Sequence, residues 1–160
     1  GAGGNDVIDG GNGDDVLHGG NGDDTLAGKA GDDVLHGDNG DDRLTGGMGS
    51  DHLHGDAGRD TFIFDVLEEA SFDTIYDFTV GEDKIALQRE VFTGLRYWVK
   101  EENFAFGKEA TTAEQHLLLD KTSGKLYYDA DGNGSAAATH IATLQNSALD
   151  QIDHTSFQLL

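Results

Sequence analysis

One large apolar residue recurs at every ninth position in the first part of the chain, among small and polar residues. These residues are Ile8, Leu17, Leu26, Leu35, Leu44, Leu53 and Phe62. The period holds without insertion over residues 1–63, as seven repeats that each begin with glycine. Such repetition is typical of solenoids, in which each unit buries its apolar side chain only against its neighbours. The pattern therefore predicts a stacked repeat fold with one apolar column.

Glycine and aspartate occupy fixed positions within each repeat. Glycine fills the first and fourth positions of all seven repeats, and aspartate fills the sixth. Glycine marks backbone that needs positive φ or approaches a ligand closely, so the first six residues are predicted to turn. The last three, such as Val16-Leu17-His18, are predicted to form a short strand. Two repeats would complete one turn of a flattened coil, with residue n stacked on residue n+18 and a rise of about 4.8 Å.

The rest of the chain has fewer glycines and more aromatic residues, since 18 of the 24 glycines lie in residues 1–63. Apolar runs predict strands at 61–64, 73–78, 84–87, 117–119, 126–128, 140–144 and 156–160, with a hairpin turn at 121–124 and a helical turn near 148–153. The predicted fold is therefore all-β. A parallel β-roll, a right-handed β-solenoid of nonapeptide repeats, spans residues 1–64, and a C-terminal β-rich capping module spans residues 65–160.

The composition excludes several functions. A net charge of -21 argues against nucleic-acid binding, because phosphates require cationic partners. The absence of cysteine excludes disulfides and thiolate metal sites. No apolar run reaches membrane-spanning length, so no membrane span is predicted. Because the chain opens inside a repeat, without an initiator Met or signal peptide, we interpret it as a fragment of a longer protein.

The repeated aspartates indicate a cation. Stacking would bring Asp6 near Asp24 and Asp15 near Asp33, and bare carboxylates at that spacing repel each other. An irregular cage of carboxylate and carbonyl oxygens suits Ca²⁺ better than the strict octahedron of Mg²⁺. Residues 1–63 contain 14 Asp and three basic residues, a net charge of -11 that about five Ca²⁺ ions would nearly cancel. The alternative, a disordered Gly/Asp-rich linker, is the expected calcium-free state.

The repeats resemble the G-G-x-G-x-D-x-U-x repeat of RTX (repeats-in-toxin) proteins, hemolysin-type calcium-binding proteins, and residues 10–18 fit it at every specified position. The resemblance implies Ca²⁺ between turns two repeats apart. One turn contributes the carbonyls of its second and fourth residues, the other those of its first and third, and both contribute aspartate side chains. The cages implied, first to fifth, are Ala2, Gly4, Asp6, Gly19, Asn21 and Asp24; Gly11, Gly13, Asp15, Gly28, Ala30 and Asp33; Gly20, Gly22, Asp24, Gly37, Asn39 and Asp42; Lys29, Gly31, Asp33, Gly46, Met48 and Asp51; and Asp38, Gly40, Asp42, Gly55, Ala57 and Asp60.

Four repeats lack glycine at the second position, which holds Ala2, Lys29, Asp38 and Asp56. A backbone carbonyl remains at each of these positions, so the cages are expected to survive. The positive charge of Lys29 predicts that the fourth cage is the weakest.

The second half resembles the C-terminal module of serralysin-type and other RTX exoproteins. The matching residues are Asp60-Thr61-Phe62, Asp77-Phe78, Gly81-Glu82-Asp83-Lys84-Ile85, Tyr128-Asp129-Ala130-Asp131-Gly132 and Ile141-Ala142-Thr143-Leu144. The resemblance implies an uncleaved C-terminal secretion signal, a type I exporter as partner, and an extracellular protein of a Gram-negative bacterium. Calcium would fold the chain outside the cell, because binding free energy becomes folding free energy. The alternative is a polysaccharide- or surface-binding module attached to an upstream enzyme or adhesin.

Weaker signals leave further alternatives. Residues 129–134 match the start of an EF-hand loop, but His140 replaces the glutamate expected at its twelfth position, which favours a turn or a weak extra Ca²⁺ site. His18, His36 and His54 should align on one face, as a solvated ladder or a transition-metal site. Tyr97 and Trp98 could bind glycan or pack in the core. No catalytic motif is present, so the chain is not expected to be an enzyme.

Overall fold

The computed structural model describes residues 1–67, 72–145 and 148–160, and these ranges are all-β apart from two short 3₁₀ turns. The strands are β1 (Val7–Asn12), β2 (Val16–Asn21), β3 (Thr25–Ala30), β4 (Val34–Asn39), β5 (Arg43–Met48), β6 (His52–His54), β7 (Thr61–Phe64), β8 (Asp73–Ile75), β9 (Lys84–Leu87), β10 (Phe104–Phe106), β11 (Leu117–Asp120), β12 (Lys125–Tyr128), β13 (Thr139–Leu144) and β14 (Phe157–Leu159). The 3₁₀ turns are Glu101–Asn103 and His154–Ser156. Neither helix is long or apolar enough to cross a membrane, nor is any other helix in the described ranges.

The repeats form a parallel β-roll, as the nine-residue period predicts. Strands two repeats apart pair in parallel, with Ile8 opposite Leu26 and Leu17 opposite Leu35. The residue stacked on residue n is therefore n+18. The leucines from the third to the sixth repeat are fully buried, whereas Ile8, at the open end of the column, is only partly buried. The apolar column thus forms the core of the roll.

The prediction that strands cover only the last three positions of a repeat was wrong. The strands of the first five repeats have six residues and run from the seventh position to the third position of the next repeat. Gly11, for example, pairs with Lys29, and Asn12 pairs with Ala30. Stacked turns hydrogen-bond to each other even where the backbone bends, and Gly11 supplies the bend with φ 101°. The fourth to sixth positions form the turns.

The second half continues both faces of the roll. One sheet has the strand order β1-β3-β5-β7-β9-β14, and the other has the order β10-β11-β12-β13-β8-β6-β4-β2. Both sheets therefore contain repeat strands and later strands. The predicted hairpin is present, with Leu117 opposite Tyr128 in antiparallel β11 and β12. The apolar core is also continuous, running from Leu17 to Phe157.

Some elements of the second half differ from the prediction. The strand expected at 73–78 ends at Ile75, and β10 was not predicted at all. The helical turn near 148–153 is a single turn in which the Gln151 N–H donates to the Ala148 carbonyl at 2.9 Å, and a 3₁₀ turn follows it. Strand β10 was missed because it has three residues and pairs only at the edge of its sheet, with β11.

Candidate metal centre

The sixth-position aspartates stack in two columns, joined by backbone-to-side-chain hydrogen bonds. In one column the Asp6 N–H donates to Asp24 Oδ1 at 2.6 Å, and the Asp24 N–H donates to Asp42 Oδ1 at 2.7 Å. The other column repeats this between Asp15 and Asp33 at 2.8 Å. The same bond joins Asp33 to Asp51 and Asp42 to Asp60. Each bond fixes the side-chain orientation and leaves Oδ2 for another partner.

The second oxygen of these carboxylates has no partner within the protein. The Oδ2 atoms of Asp15, Asp24, Asp33, Asp42 and Asp51 are buried and accept no hydrogen bond. A buried anionic oxygen without a partner is strongly unfavourable, so such groups are normally paired or coordinate a metal. The aspartate columns therefore fit a bound cation.

The first-position glycines lie beside spaces that are lined by oxygen. A Cβ atom added to Gly19 would lie 2.5 Å from Asp24 Oδ2 and 2.5 Å from the Gly37 carbonyl oxygen. One added to Gly10 would lie 2.9 Å from both Asp15 Oδ2 and the Gly28 carbonyl oxygen. Equivalent pairs of oxygens face Gly1, Gly28 and Gly37. Glycine is thus needed here for space, and each space lies among residues of one predicted cage, whose full ligand set stays a prediction.

All the fourth positions, and all the second positions except Ala2, have a left-handed backbone. All seven fourth-position glycines have positive φ, from 95° in Gly4 to 151° in Gly58. The second-position residues Lys29, Asp38 and Asp56 also have positive φ, which is costly for a residue with a Cβ. The left-handed conformation is therefore kept at three of the four second positions that lack glycine, with Ala2 as the exception, as expected if the carbonyls there have a role. These carbonyls belong to the predicted cages.

The side chain of Lys29 is directed to a surface partner. Its Nζ lies 3.7 Å from Asp9 Oδ2, and both side chains are more than half exposed. The charge that led to the prediction of a weak fourth cage is therefore held on the outer face of the roll. The relative strength of that cage stays a prediction.

Burial raises the pKa of four cage aspartates, Asp33, Asp42, Asp51 and Asp60, and so makes them weaker acids. Desolvation, followed by the charges of neighbouring aspartates, raises the pKa of Asp42 and Asp51 to about 6. The same causes raise the pKa of Asp60 to about 7. Backbone N–H donors act in the opposite direction but do not cancel the effect of burial. A divalent cation would remove the repulsion and replace the lost hydration.

Two aspartates outside the repeats, Asp73 and Asp83, extend the columns, and a third, Asp77, binds the start of the seventh repeat; none of the three was predicted from the sequence. Asp73 accepts the Asp51 N–H at 3.1 Å, and Asp83 accepts the Asp60 N–H at 2.9 Å. Asp77 accepts the N–H groups of both Gly55 and Asp56. The signal was present, because Asp73-Thr74-Ile75 and Asp83-Lys84-Ile85 repeat the Asp-x-apolar pattern of the sixth to eighth positions. Their spacings of 22 and 23 residues, instead of 18, concealed it.

The histidines align on one face, as predicted. Ring centroids lie 4.8 Å apart for His18 and His36 and 4.4 Å apart for His36 and His54, and Tyr76 extends the stack. His36 Nδ1 lies 3.1 Å from Asp56 Oδ2. His36, His54 and Asp56 are close enough together to share a metal ion. Parallel stacked rings direct their nitrogen lone pairs side by side instead of toward one point, which favours the solvated ladder.

The EF-hand alternative is excluded by the fold. Residues 129–138 connect β12 to β13, whereas an EF-hand loop joins two helices. Asp129 Oδ1 accepts the Asp131 N–H at 3.2 Å, and Asp131 Oδ2 accepts the Ala136 N–H at 3.2 Å. These bonds are typical of a turn. A weak extra Ca²⁺ site at Asp129 stays a prediction.

Tyr97 and Trp98 lie at the surface, so the core-packing alternative is wrong. Their side chains are 72% and 62% exposed, with ring centroids 6.0 Å apart. They line a cavity of about 560 Å³ together with Arg96, Lys100 and Glu102. The cavity is large enough for a sugar-sized ligand.

Comparison with known proteins supports the repeat assignment. Residues 1–35 and 27–62 match the family described as RTX calcium-binding nonapeptide repeat (4 copies). Two solved structures from Azotobacter vinelandii share the fold. The AlgE6R3 subunit of its mannuronan C5-epimerase is 23% identical, covers 91% of this chain and 78% of its own, and has a TM-score of 0.60. The AlgE6R2 subunit is 24% identical, and the match covers 94% of this chain and 90% of the subunit, with a TM-score of 0.57. The search of curated proteins found no match.

Proposed function

Since residues 1–62 are RTX calcium-binding nonapeptide repeats, we propose that this chain is a module that folds when it binds Ca²⁺ outside the cell. The observation that carries the proposal is the set of five buried aspartate oxygens without a partner. Each lies in a stack of turns that repeats every 18 residues. About five Ca²⁺ ions would occupy the roll, one in each predicted cage.

We assign the ligands of each cage as the family pattern implies. In the third cage, the carbonyls of Gly20 and Gly22 come from one turn, and those of Gly37 and Asn39 come from the next. The carboxylates of Asp24 and Asp42 complete this cage. The space beside Gly19, which faces both Asp24 Oδ2 and the Gly37 carbonyl, supports the assignment. The other four cages follow by moving nine residues along the chain.

Calcium concentration would control folding. Cytosolic Ca²⁺ is scarce, and without it the stacked carboxylates must be either protonated or mutually repulsive. Extracellular modules bind Ca²⁺ with a Kd of about 10⁻⁴ to 10⁻³ M. Millimolar Ca²⁺ would therefore stabilise the folded roll by mass action. The chain would stay extended inside the cell and fold outside it.

We further propose a division of labour within the chain. Residues 1–64 would bind Ca²⁺, and residues 65–160 would cap the roll and carry a C-terminal signal for a type I exporter of a Gram-negative bacterium. Catalysis would belong to an upstream part of a longer protein. In cells that express the chain with such an exporter, it should accumulate in the medium. Equal amounts in the medium of cells without the exporter would refute this part of the proposal.

The folding switch can be tested by far-UV circular dichroism at pH 8. The β-sheet spectrum should be absent in EGTA, appear on addition of Ca²⁺ and disappear again on addition of excess EGTA. Mg²⁺ at the same concentration should have little effect, because its octahedral preference fits these cages poorly. A β-sheet spectrum that persists in EGTA would refute the folding switch.

A second candidate function is polysaccharide binding. The observation that favours it is the exposed pair of Tyr97 and Trp98 beside Arg96 and Lys100. The two Azotobacter vinelandii structures compared above are subunits of a mannuronan C5-epimerase, so a mannuronan oligomer is the first ligand to test. In an NMR titration of the calcium-bound chain, the Trp98 indole N–H resonance should shift. Unchanged resonances at millimolar oligomer would contradict glycan binding at this surface.

A further inference from the structure

We propose that Asn12, Asn21 and Asn39 are sites of spontaneous deamidation that the folded roll masks and the calcium-free chain exposes. Four of the seven asparagines are followed directly by glycine, namely these three and Asn133. The three occupy the third position of a repeat, whereas Asn133 lies between β12 and β13. The inference rests on the proposed function, because it takes the calcium-free chain to be unfolded.

An asparagine that precedes glycine can react with its own backbone. The glycine nitrogen attacks the side-chain amide carbon, the new C–N bond closes a five-membered imide, and the amide nitrogen leaves as ammonia. The proton lost by the attacking nitrogen balances the proton that the leaving group takes up. Water then opens the imide at either carbonyl, which leaves aspartate or isoaspartate. Glycine favours the attack because it has no Cβ to shield its nitrogen or to restrict the backbone.

In the folded roll, the nitrogens that would attack are engaged in hydrogen bonds. The Gly13 N–H donates to the Ala30 carbonyl at 2.7 Å. The N–H groups of Gly22 and Gly40 make the equivalent bond at 2.9 Å, each to the turn stacked on it. The stacked turns must therefore separate before any of these nitrogens can reach the preceding side chain.

The three asparagines are also held at the ends of paired strands. Strands β1, β2 and β4 end at Asn12, Asn21 and Asn39. Asn12 pairs with Ala30, and Asn21 pairs with Asn39. Asn39 Nδ2 also donates to Asn21 Oδ1 at 3.3 Å. Since all three asparagines are exposed, it is the stacked backbone that prevents the reaction, and burial has no part in it.

Asn133 provides a contrast within the same chain. Both Asn133 and Gly134 are exposed in the loop between β12 and β13. Within the ranges that the structure describes, the Gly134 N–H donates no hydrogen bond. We therefore expect Asn133 to deamidate whether or not Ca²⁺ is bound, so that it serves as an internal reference for the chemistry.

Deamidation within the repeats would damage the calcium cages. The carbonyls of Asn21 and Asn39 belong to the first and third predicted cages. Isoaspartate lengthens the backbone by one carbon beside that carbonyl and so displaces it. Either product also adds a negative charge to repeats that already contain 14 Asp and three basic residues. A chain that stays without Ca²⁺ would thus gradually lose its capacity to fold.

The test is to incubate the purified chain at pH 8 in Ca²⁺, in EGTA, and in EGTA with urea, and to follow each asparagine by peptide mass spectrometry. Deamidation of Asn12, Asn21 and Asn39 should be at least about tenfold slower in Ca²⁺ than in EGTA, because it requires opening of the stacked turns. Asn133 should react at similar rates in both. Equal rates for all four asparagines in Ca²⁺ would overturn the proposal.

Circular dichroism of the same samples separates this proposal from the proposed function. A β-sheet spectrum in EGTA would refute the folding switch, and protection by the folded turns is then measured against the sample in urea. Less than tenfold protection relative to urea would overturn the masking of the repeat asparagines. If the chain unfolds in EGTA but its repeat asparagines react equally fast in Ca²⁺, the folding switch stands and the masking fails.

The damage to the cages is measured on the reaction products, which anion exchange separates by their extra charge. Chains modified at Asn21 or Asn39 should fold at a Ca²⁺ midpoint about twofold higher, because the loss at one cage is spread over about five ions. Chains modified at Asn133 alone are the matched control, and their midpoint should equal that of the unmodified chain. Equal midpoints for the two products would overturn the effect on the cages.

Discussion

Replacing Gly19 by alanine tests directly whether the oxygen-lined spaces hold Ca²⁺. Gly19 does not have positive φ, so alanine introduces no backbone strain at this position. The added methyl group would instead enter the third cage, 2.5 Å from both Asp24 Oδ2 and the Gly37 carbonyl oxygen. We expect Gly19→Ala to exclude the ion from that cage and to destabilise the folded roll.

The magnitude follows from two terms. Ordinary contact begins near 3.4 Å, so the facing oxygens must retreat by about 1 Å in a close-packed stack, and such overpacking costs about 1–3 kcal/mol. When the free Ca²⁺ concentration is about 100 times the Kd of a site, the bound ion stabilises the fold by about 2.7 kcal/mol, and this stabilisation is lost with the ion. The free energy of unfolding should therefore fall by about 4–6 kcal/mol.

The assay combines denaturant unfolding at saturating Ca²⁺ with an ion count by isothermal titration calorimetry. Gly3→Ala is the matched control, because a Cβ at Gly3 has no atom within 4 Å and φ there is not positive. The control should change the free energy of unfolding by less than about 0.5 kcal/mol. The reasoning is refuted if Gly19→Ala binds as many ions as Gly3→Ala and unfolds at the same denaturant concentration.

Three further predictions follow from the same geometry. Asp42→Asn removes a carboxylate that the third and fifth cages share, and should weaken binding by about 2 kcal/mol in each cage. Because folding is coupled to about five ions, this total loss should raise the Ca²⁺ midpoint of folding about fourfold in a circular dichroism titration. Asp9→Asn, at the surface, should leave the midpoint unchanged. The pKa of Asp60 is raised to about 7 by burial, so the folded state without Ca²⁺ gains stability at low pH and loses it as pH rises through about 7. The β-sheet content in EGTA should therefore be higher at pH 5 than at pH 8 by circular dichroism, and identical spectra at both pH values would contradict this. Leu35→Ala in the buried column should lower the free energy of unfolding with Ca²⁺, measured by denaturant, by about 2–5 kcal/mol. Val16→Ala, at an exposed position, should change it very little. Equal losses in the two variants would argue against the apolar column as the core.

The repeat half of the fold could be predicted from the sequence because one period determines all of it. The recurrence of Leu26, Leu44 and their equivalents every nine residues fixes which residues stack, and parallel pairing follows. Strand length could not be predicted in the same way. Glycine at the first and second positions indicates a turn by local preference, but hydrogen bonds between stacked turns keep that backbone in the sheet.

The second half was less predictable because its strands take their order from contacts distant in sequence. Strand β14 pairs with β9, about 70 residues earlier, through Phe157 opposite Ile85. No local pattern specifies that neighbour. The 18-residue period identified the repeat aspartates but not Asp73 and Asp83, because these two repeat the Asp-x-apolar pattern at spacings of 22 and 23 residues.

The central claim is that the stacked aspartates hold the chain together only through divalent ions. Small-angle X-ray scattering at pH 8 tests it most directly, since it measures whether the chain is compact. With Ca²⁺ the radius of gyration should be about 15 Å, and in EGTA it should approach the value of an unfolded chain of this length, about 40 Å. A radius near 15 Å in both conditions would contradict the claim.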